Sequence, residues 1–376
     1  MIPQRHIKID AFLHSVARSI EYDNINPKNR NREQFFKTYK DPQFSYDPVS
    51  EEIGTMRSVL EAITLDDSPS GKLLDNKRKE LILKIKLMQA IGTPQFTKIS
   101  QKIYRPPSIS LVSTCYYMLS RKVTKQKDAH IKRIHTIKTL RGLFKKLNIT
   151  WKIKSTNIIT SARVSPENEI LELRKKERFL ESYLKRLIVH EIGVHALRAE
   201  NGKLQPLQLF KHGCGQYLET EEGLAVYAEY KAGLLDDTIL HNYAGRVVAV
   251  HYALTHGFHE TYKHLRQYFT KKTAWKLTVR VKRGLADTSQ PGAYTKDALY
   301  LRGFLKVKRF AEKKGDINSL FVGKIGLKDI PLVKQLELTP PKYHLQSVID
   351  YVEAHKHFTL ERVDSQKTVD EHLKEQ

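Results

Sequence analysis

The pattern of apolar and polar residues predicts a helical first part of the chain, up to about residue 145. Ile9, Leu13, Val16 and Ile20 recur at the spacing of one helix face. Two later runs show the same spacing: Leu60, Ile63 and Leu65, then Leu81, Ile82, Ile85 and Leu87. Loops rich in Asn, Asp and Pro, such as NINPKNRNREQFF and DDSPSG, separate these runs. We therefore expect several consecutive helices here.

A change of period after residue 150 indicates strands, followed by further helices. Residues 150–154 alternate and residues 170–173 follow a PENE turn, as expected of strands. A long helix is predicted over 177–198, with Asn201 and Gly202 as its stop signal. A second helix begins near Thr220, which can serve as its N-cap. Residues 236–283 and 295–335 are mostly helical in pattern, and we expect the last ~15 residues to fray.

The charge balance bears on possible partners. The chain has 65 Lys and Arg against 41 Asp and Glu, a formal net charge of +24. Such a field attracts polyanions and acidic peptides, although a solvated basic surface gives the same composition. The densely basic run 121–154 holds few aromatic residues besides Phe144 and Trp151. It therefore favours a peptide partner over nucleic acid.

Cysteine usage and hydropathy indicate the compartment. Cys115 and Cys214 are the only cysteines and suggest no disulfide framework, which points to a reducing environment. No stretch approaches the roughly 18 apolar residues that a spanning helix needs. The first residues lack the pattern of a secretory signal. We therefore expect a cytoplasmic protein that does not enter a membrane.

The candidate chemistry centres on HEIGVH, in which His190 and His195 lie five positions apart. In an α-helix, five steps turn the second imidazole roughly 140° from the first, a poor geometry for chelation. A π-type widening brings the offset back to roughly 50°, and Gly193 lowers the steric cost of an irregular backbone. Core histidines are the alternative, but two imidazoles and the Glu191 carboxylate are costly to bury in so apolar a helix. A bound metal ion removes that cost.

A third ligand is expected because catalytic zinc usually takes three from the protein. In a helix that starts at Thr220, Glu222 shares a face with Glu229, whereas Glu221 lies about 100° round the axis. Gly223 would let this helix approach the HEIGVH helix closely. These acids could instead complement the helix dipole, an interpretation that suits Glu221. Glu229 is either a group that orients a histidine ligand or an ordinary surface acid.

The predicted site has His190, His195 and Glu222 as Zn²⁺ ligands and Glu191 as the general base. Zinc lowers the pKa of a bound water toward neutrality, and a neighbouring carboxylate accepts its proton during attack on a peptide carbonyl. The motif therefore predicts a zinc-dependent peptidase.

These residues and their surroundings resemble the tyrosine carboxypeptidase family. That family includes the microtubule-associated tyrosine carboxypeptidases and the bacterial flavohaemoglobin-expression-modulating QEGLA-motif proteins. The likeness rests on HEIGVHALR and TEEGLA and extends over about residues 7–345. Further segments that resemble the family in this range are INPKNRNREQFF, DPQFSYDP, GTPQF, PGAYTKDALYLRG and FVGKIGL. The resemblance implies a metallocarboxypeptidase that removes a C-terminal aromatic residue, Tyr or Phe, from a protein or peptide.

The resemblance also assigns roles within the two motifs. His190 and His195 match the histidine ligands of the family, Glu191 its catalytic acid and Glu222 the glutamate of the QEGLA motif. Glu221 stands where that motif has glutamine. Because this position is not the ligand, we expect little effect on metal binding.

A carboxypeptidase must hold a free carboxylate, which Arg and Lys do best. The candidates are Lys296 and Arg302, which flank the DALYL segment, and Arg198 on the motif helix. Tyr300 is a candidate for polarising the scissile carbonyl or stabilising the oxyanion. Each has a simpler alternative as a surface cation or a core tyrosine. A basic groove around these residues would suit an acidic C-terminal tail.

We predict an α+β, mostly helical fold with a small sheet beside the motif helix, as in gluzincin-type peptidases. Residues 1–147 form an N-terminal helical, basic region, 148–360 the zinc metallopeptidase region and 361–376 a polar tail. Two other functions remain open. A zinc amino- or endopeptidase would show an acidic cluster or an open cleft beside the metal. A polyanion-binding or regulatory protein would carry the metal site as a vestige.

Overall fold

The computed structural model describes residues 2–121, 130–158, 160–175 and 179–355. Its architecture is mostly helical with two small sheets, as an α+β prediction requires. A single cluster of buried apolar side chains extends from Leu13 to Val352. Among the described helices, none has the length and apolarity that crossing a membrane requires. The predicted polar tail, residues 361–376, lies outside the described residues, and the regional boundary at 147 stays a prediction.

The first part of the chain is helical, as its hydrophobic spacing predicts. Its α-helices are α1 (Gln4–Ser19), α2 (Arg32–Thr38), α3 (Glu52–Ala62), α4 (Pro69–Gln89), α5 (Gln95–Tyr104), α6 (Ile109–Ser120) and α7 (Arg133–Lys146). Leu13 and Val16 of α1 are buried. The DDSPSG break is the start of α4, where the Ser68 hydroxyl accepts a hydrogen bond from the N–H of Gly71. Ile63, which was grouped with α3 by spacing, lies just beyond its end.

The two sheets lie in the middle of the chain. The strands are β1 (His130–Ile131), β2 (Lys152–Thr156), β3 (Ala162–Ser165), β4 (Ile170–Arg174) and β5 (Phe179–Leu180). One sheet has the order β2-β4-β3, with β2 parallel and β3 antiparallel to β4, and the other pairs β1 with β5. The sequence predicted β2 and β4 but missed the others, since strands of two to four residues are too short to show an alternation.

The second part of the chain builds the site from packed helices. They are α8 (Glu181–Leu187), a π-helical segment (Ile188–Ala196), α9 (Leu197–Gly202), α10 (Leu209–His212), α11 (Leu218–Lys231), α12 (Asp237–Ala253), α13 (Phe258–Leu265), α14 (Lys271–Lys282), α15 (Leu299–Glu312), α16 (Ile330–Val333) and α17 (Leu345–Ala354). Short 3₁₀ helices occur at Tyr22–Ile25, Thr295–Ala298, Ile317–Val322 and Leu327–Asp329. The predicted helical ranges 236–283 and 295–335 are confirmed.

The structure shifts two predicted helix starts and contradicts the predicted N-cap. The motif helix begins at Glu181, because Phe179 and Leu180 pair with β1 as strand β5. Helix α11 begins at Leu218, so Thr220 is not its N-cap. The Thr220 hydroxyl instead accepts a hydrogen bond from the N–H of Leu327, at 2.9 Å.

Helix α11 lies at the centre of this arrangement, packed against both the π-helical segment and α15. Most of its residues between Thr220 and Glu229 are buried. Gly223 permits the contact with α15, because a Cβ atom there would lie 2.2 Å from the carbonyl carbon of Gly303. Gly223 therefore permits a close helix approach, but to α15 and not, as the sequence predicted, to the motif helix.

Candidate active site

The two motif histidines lie on a π-helical segment, Ile188–Ala196. The ring centroids of His190 and His195 are 4.9 Å apart, so the widened turn brings the imidazoles together. Gly193 faces α17, where a Cβ atom would lie 3.1 Å from the Leu345 side chain. The local distortion that the five-residue spacing demands is therefore present, and glycine at this point leaves room for the neighbouring helix.

Glu222 of α11 completes a cluster with the two histidines. Each of the three residues offers one ligand atom, and these atoms all lie within 4.8 Å of one another. Nε2 of His190 is 3.9 Å from Oε2 of Glu222. Ligands of tetrahedral zinc, with bonds of about 2.0–2.2 Å, are separated by about 3.3–3.6 Å. Two imidazole nitrogens and one carboxylate oxygen are the donors that catalytic zinc takes, so the residues fit the ion.

Buried carboxylates hold the other nitrogen of each imidazole. Nδ1 of His190 is 2.7 Å from Oε1 of Glu229, and Nδ1 of His195 is 2.8 Å from Oε1 of Glu221. Such contacts orient an imidazole and leave its Nε2 for a metal. Burial disfavours the imidazolium of His190, but Glu229 outweighs this and raises the pKa of His190 to about 9. Glu229 is 1% exposed, so its interpretation as a surface acid is wrong.

Glu221 has a role that the sequence reasoning missed. It is buried, and its carboxylate also forms ion pairs with Arg198 and, at 2.9 Å, with Lys324. Burial alone would raise the pKa of Glu221, but Lys324 and Arg198 together hold it well below its usual value. An interpretation as a helix-dipole acid is therefore insufficient. The available signal was Arg198, which lies three residues after His195 and so on the same helix face.

A cavity of about 300 Å³ adjoins the cluster. His190, Glu191, Lys296 and Tyr300 are among its lining residues. Burial, and then the charge of Glu222, raise the pKa of Tyr300 well above its ordinary value, so its hydroxyl stays protonated at neutral pH. The structure thus brings the predicted base, the predicted hydroxyl donor and one predicted cation to the same space.

The cavity continues into a basic groove. A second cavity of about 540 Å³ shares Tyr183, Tyr243 and several arginines with the first. Its cationic lining residues are Arg30, Arg174, Arg186, Arg246, Lys276, Arg280 and Arg283, and no carboxylate is among the described residues that line it. Arg280 is paired with Asp297 by two hydrogen bonds of 2.6 and 2.7 Å. Arg246 lies over the Tyr300 ring, 4.7 Å from its centroid.

Two of the predicted substrate-binding residues have other partners in the structure. Arg198 is fully buried and donates hydrogen bonds to backbone carbonyls, including that of Leu320, besides its ion pair with Glu221. Arg302 pairs with Glu219 at 3.1 Å and lines a different cavity. Both guanidinium groups connect structural elements. The spacing of basic residues in the sequence could not distinguish these arginines from ones that face a substrate.

Comparisons with known proteins identify the family of this chain. The sequence profile of a family described as "Microtubule-associated tyrosine carboxypeptidase" matches residues 33–364. The candidate tyrosine carboxypeptidase MATCAP2 of mouse is 33% identical over 164 residues, which are 42% of this chain and 31% of that protein. Microtubule-associated tyrosine carboxypeptidase 1 of rat is 28% identical over 191 residues, 48% of this chain and 40% of that protein. The matched segments thus span only about a third of these relatives.

Proposed function

Because this chain belongs to the microtubule-associated tyrosine carboxypeptidase family, we propose that it is a zinc carboxypeptidase. In this proposal it removes one C-terminal residue, an aromatic one such as Tyr or Phe, from an acidic protein or peptide tail in the cytoplasm. The single observation that carries the proposal is the cluster of His190, His195 and Glu222 beside a cavity that shares its arginines with a basic groove.

The metal would be held by His190, His195 and Glu222. A zinc ion bound there would supply Lewis-acid polarisation of the scissile carbonyl and of the attacking water. Glu191 lines the same cavity and accepts the proton of that water, then delivers it to the leaving amine. The protonated Tyr300 hydroxyl donates a hydrogen bond to the developing oxyanion. Glu229 and Glu221 keep the two imidazoles oriented throughout.

Lys296 is the candidate for binding the free carboxylate of the substrate. Its side chain is half-buried and lines the cavity with His190 and Glu191. Arg280 is paired with Asp297, so its guanidinium is not free to bind the substrate carboxylate. The arginines of the groove would attract the acidic residues that precede the terminal one.

Two alternatives are less well supported. An aminopeptidase needs carboxylates for a free amine, whereas the groove is lined by cations. A nucleic-acid-binding role needs aromatic side chains on which bases can stack. Phe144 and Trp151 of the basic run are buried, and residues 122–129 of that run lie outside the described residues.

Mass spectrometry of acidic peptides ending in Tyr, Phe or Glu tests the proposal. The purified chain with one equivalent of Zn²⁺ should shorten Tyr- or Phe-terminated peptides by one residue and leave C-terminally amidated versions intact. Glu191→Gln should reduce the rate by about 10²–10⁴-fold while zinc stoichiometry is kept.

Glu219→Gln is the matched control, because Glu219 pairs with Arg302 away from the cavity. It should retain activity. Intact peptides in the presence of stoichiometric zinc would overturn the proposal and favour a binding role, and cleavage of amidated peptides would indicate an endopeptidase.

A further inference from the structure

A second group of metal-binding side chains lies outside the candidate active site. His14 of α1, Glu167 of the turn between β3 and β4, and His212 at the end of α10 each offer one ligand atom. These atoms also lie within 4.8 Å of one another. The three residues come from three separate elements, and their side chains are partly buried, with Glu167 the most exposed at 35%. The fold therefore assembles this second cluster from distant parts of the chain.

The distances within the cluster suit ligands of one ion better than hydrogen bonds. Nε2 of His14 is 3.2 Å and Nε2 of His212 is 3.6 Å from the same atom, Oε2 of Glu167. A charge-assisted hydrogen bond is about 2.7–2.9 Å long, and 3.6 Å is too long for one. Ligand atoms about 2.0–2.2 Å from a tetrahedral zinc are about 3.3–3.6 Å apart. The two imidazole rings are stacked, with centroids 4.0 Å apart, so both nitrogens approach that oxygen together.

The neighbouring charges leave this oxygen available. Arg18 pairs with the other oxygen of Glu167, Oε1, at 3.2 Å. Lys211, next to His212, is directed to Glu169, at 3.6 Å. The buried Nδ1 of His14 has no hydrogen-bond partner among the described residues. Ordinary ion pairing therefore satisfies only one side of the Glu167 carboxylate.

We propose that His14, Glu167 and His212 form a second divalent-cation site, of the type that binds Zn²⁺ through two imidazoles and one carboxylate. The partly buried side chains leave a fourth position to water. A bound ion would tie α1 to the turn of the small sheet and to α10, and so fasten the N-terminal helix to the part of the chain that carries the active site. His14 lies before the family match at residues 33–364, so the site draws on a part of the chain that the match does not cover.

Metal counting on the full chain tests this proposal. Metal-free protein is titrated with Co²⁺, and bound cobalt is counted by elemental analysis and by its visible absorption. The wild type should bind two equivalents. His212→Gln and His14→Gln should each bind one, and His190→Gln should retain at least one equivalent, the one at the second cluster.

His251→Gln is the matched control, since His251 is an exposed histidine on α12, and it should bind two equivalents. The proposal is overturned if both folded cluster variants, His14→Gln and His212→Gln, bind as much cobalt as the wild type does. The count does not depend on peptidase activity. Failure of the proposed function therefore leaves this result interpretable.

Discussion

Oε1 of Glu221 lies 2.8 Å from Nδ1 of His195, and the same carboxylate is paired with Lys324 and Arg198. One buried anion thus joins a candidate zinc ligand to two buried cations. The position was expected to matter little because it is not itself a ligand. Its contacts indicate that the Glu221 carboxylate orients the His195 ring and neutralises the buried cations Arg198 and Lys324.

Glu221→Gln should therefore weaken zinc binding and destabilise the fold. We expect zinc affinity to fall by about 10–100-fold, the usual effect of losing such a group. Stability should fall by about 3–5 kcal/mol, because Arg198 and Lys324 would be left buried without their anion. Chelator competition and urea unfolding measure the two effects. Unchanged zinc affinity would show that the Glu221 contact does not orient His195, and Glu219→Gln serves as the control.

Lys296→Met should impair binding of substrates that carry a free C-terminal carboxylate. Losing a hydrogen bond to a charged group costs about 1.5–3 kcal/mol, which corresponds to about a 10–150-fold rise in KM. Peptide titrations followed by mass spectrometry give KM and kcat separately. Lys306→Met is the matched control, because Lys306 pairs with Glu219 in the other cavity. An equal loss in both variants would refute a specific role for Lys296.

Two glycine substitutions should differ in severity because of what surrounds them. A Cβ atom at Gly223 would lie 2.2 Å from backbone of α15, whereas one at Gly193 would lie 3.1 Å from the mobile end of Leu345. Gly223→Ala should cost at least about 1–3 kcal/mol, the range typical of overpacking, because the backbone it meets cannot yield. Gly193→Ala should cost less, because the end of the Leu345 side chain can move by a few tenths of an ångström. Urea unfolding of both variants checks the order. A reversed order would contradict the α11–α15 contact described above.

The free energy of unfolding should fall as pH rises from about 4 to 6, because of the buried Asp10 carboxyl. The side chain is buried, and burial raises the pKa of Asp10 to about 6, although the N–H groups of Gln208 and Leu209 donate hydrogen bonds to it. The folded state therefore keeps a proton that the unfolded state, with a pKa of 3.8, releases in this window. The free energy of unfolding should therefore decrease by about 3 kcal/mol across this pH window.

Unfolding free energies of wild type and Asp10→Asn, measured from pH 4 to 7, test this expectation. The variant has no charge to titrate here, so the wild-type curve should fall relative to it as pH rises. Asp67→Asn is the control, because Asp67 is exposed. Parallel curves for wild type and Asp10→Asn would contradict the prediction.

The sequence predicted those features that local periodicity and motif spacing determine. The helices of the first part, strands β2 and β4, and the π-type widening between His190 and His195 follow from spacing along a single segment. Glu222 was likewise predicted as the third ligand, because catalytic zinc takes imidazole and carboxylate groups. These are properties of residues close together in the chain.

The features that were missed depend on contacts between distant segments. Arg302 was a candidate for the substrate because of its neighbours in sequence, yet it pairs with Glu219, 83 positions away. The sequence could not distinguish Glu221 from an acid that complements the helix dipole, because its partner Lys324 lies 103 residues further along the chain. Long-range ion pairs leave no periodic signal in the chain.

The π-helical segment has an effect beyond the two imidazoles. A π-bulge amounts to one additional residue in an α-helix, and each residue turns the chain by about 100°. Everything after Ala196 is therefore rotated by that angle relative to α8. This rotation carries Arg198 inward to Glu221, where an uninterrupted helix would direct it elsewhere. Shortening the segment by one residue would thus displace a candidate zinc ligand, His195, and the buried guanidinium of Arg198 in a single change.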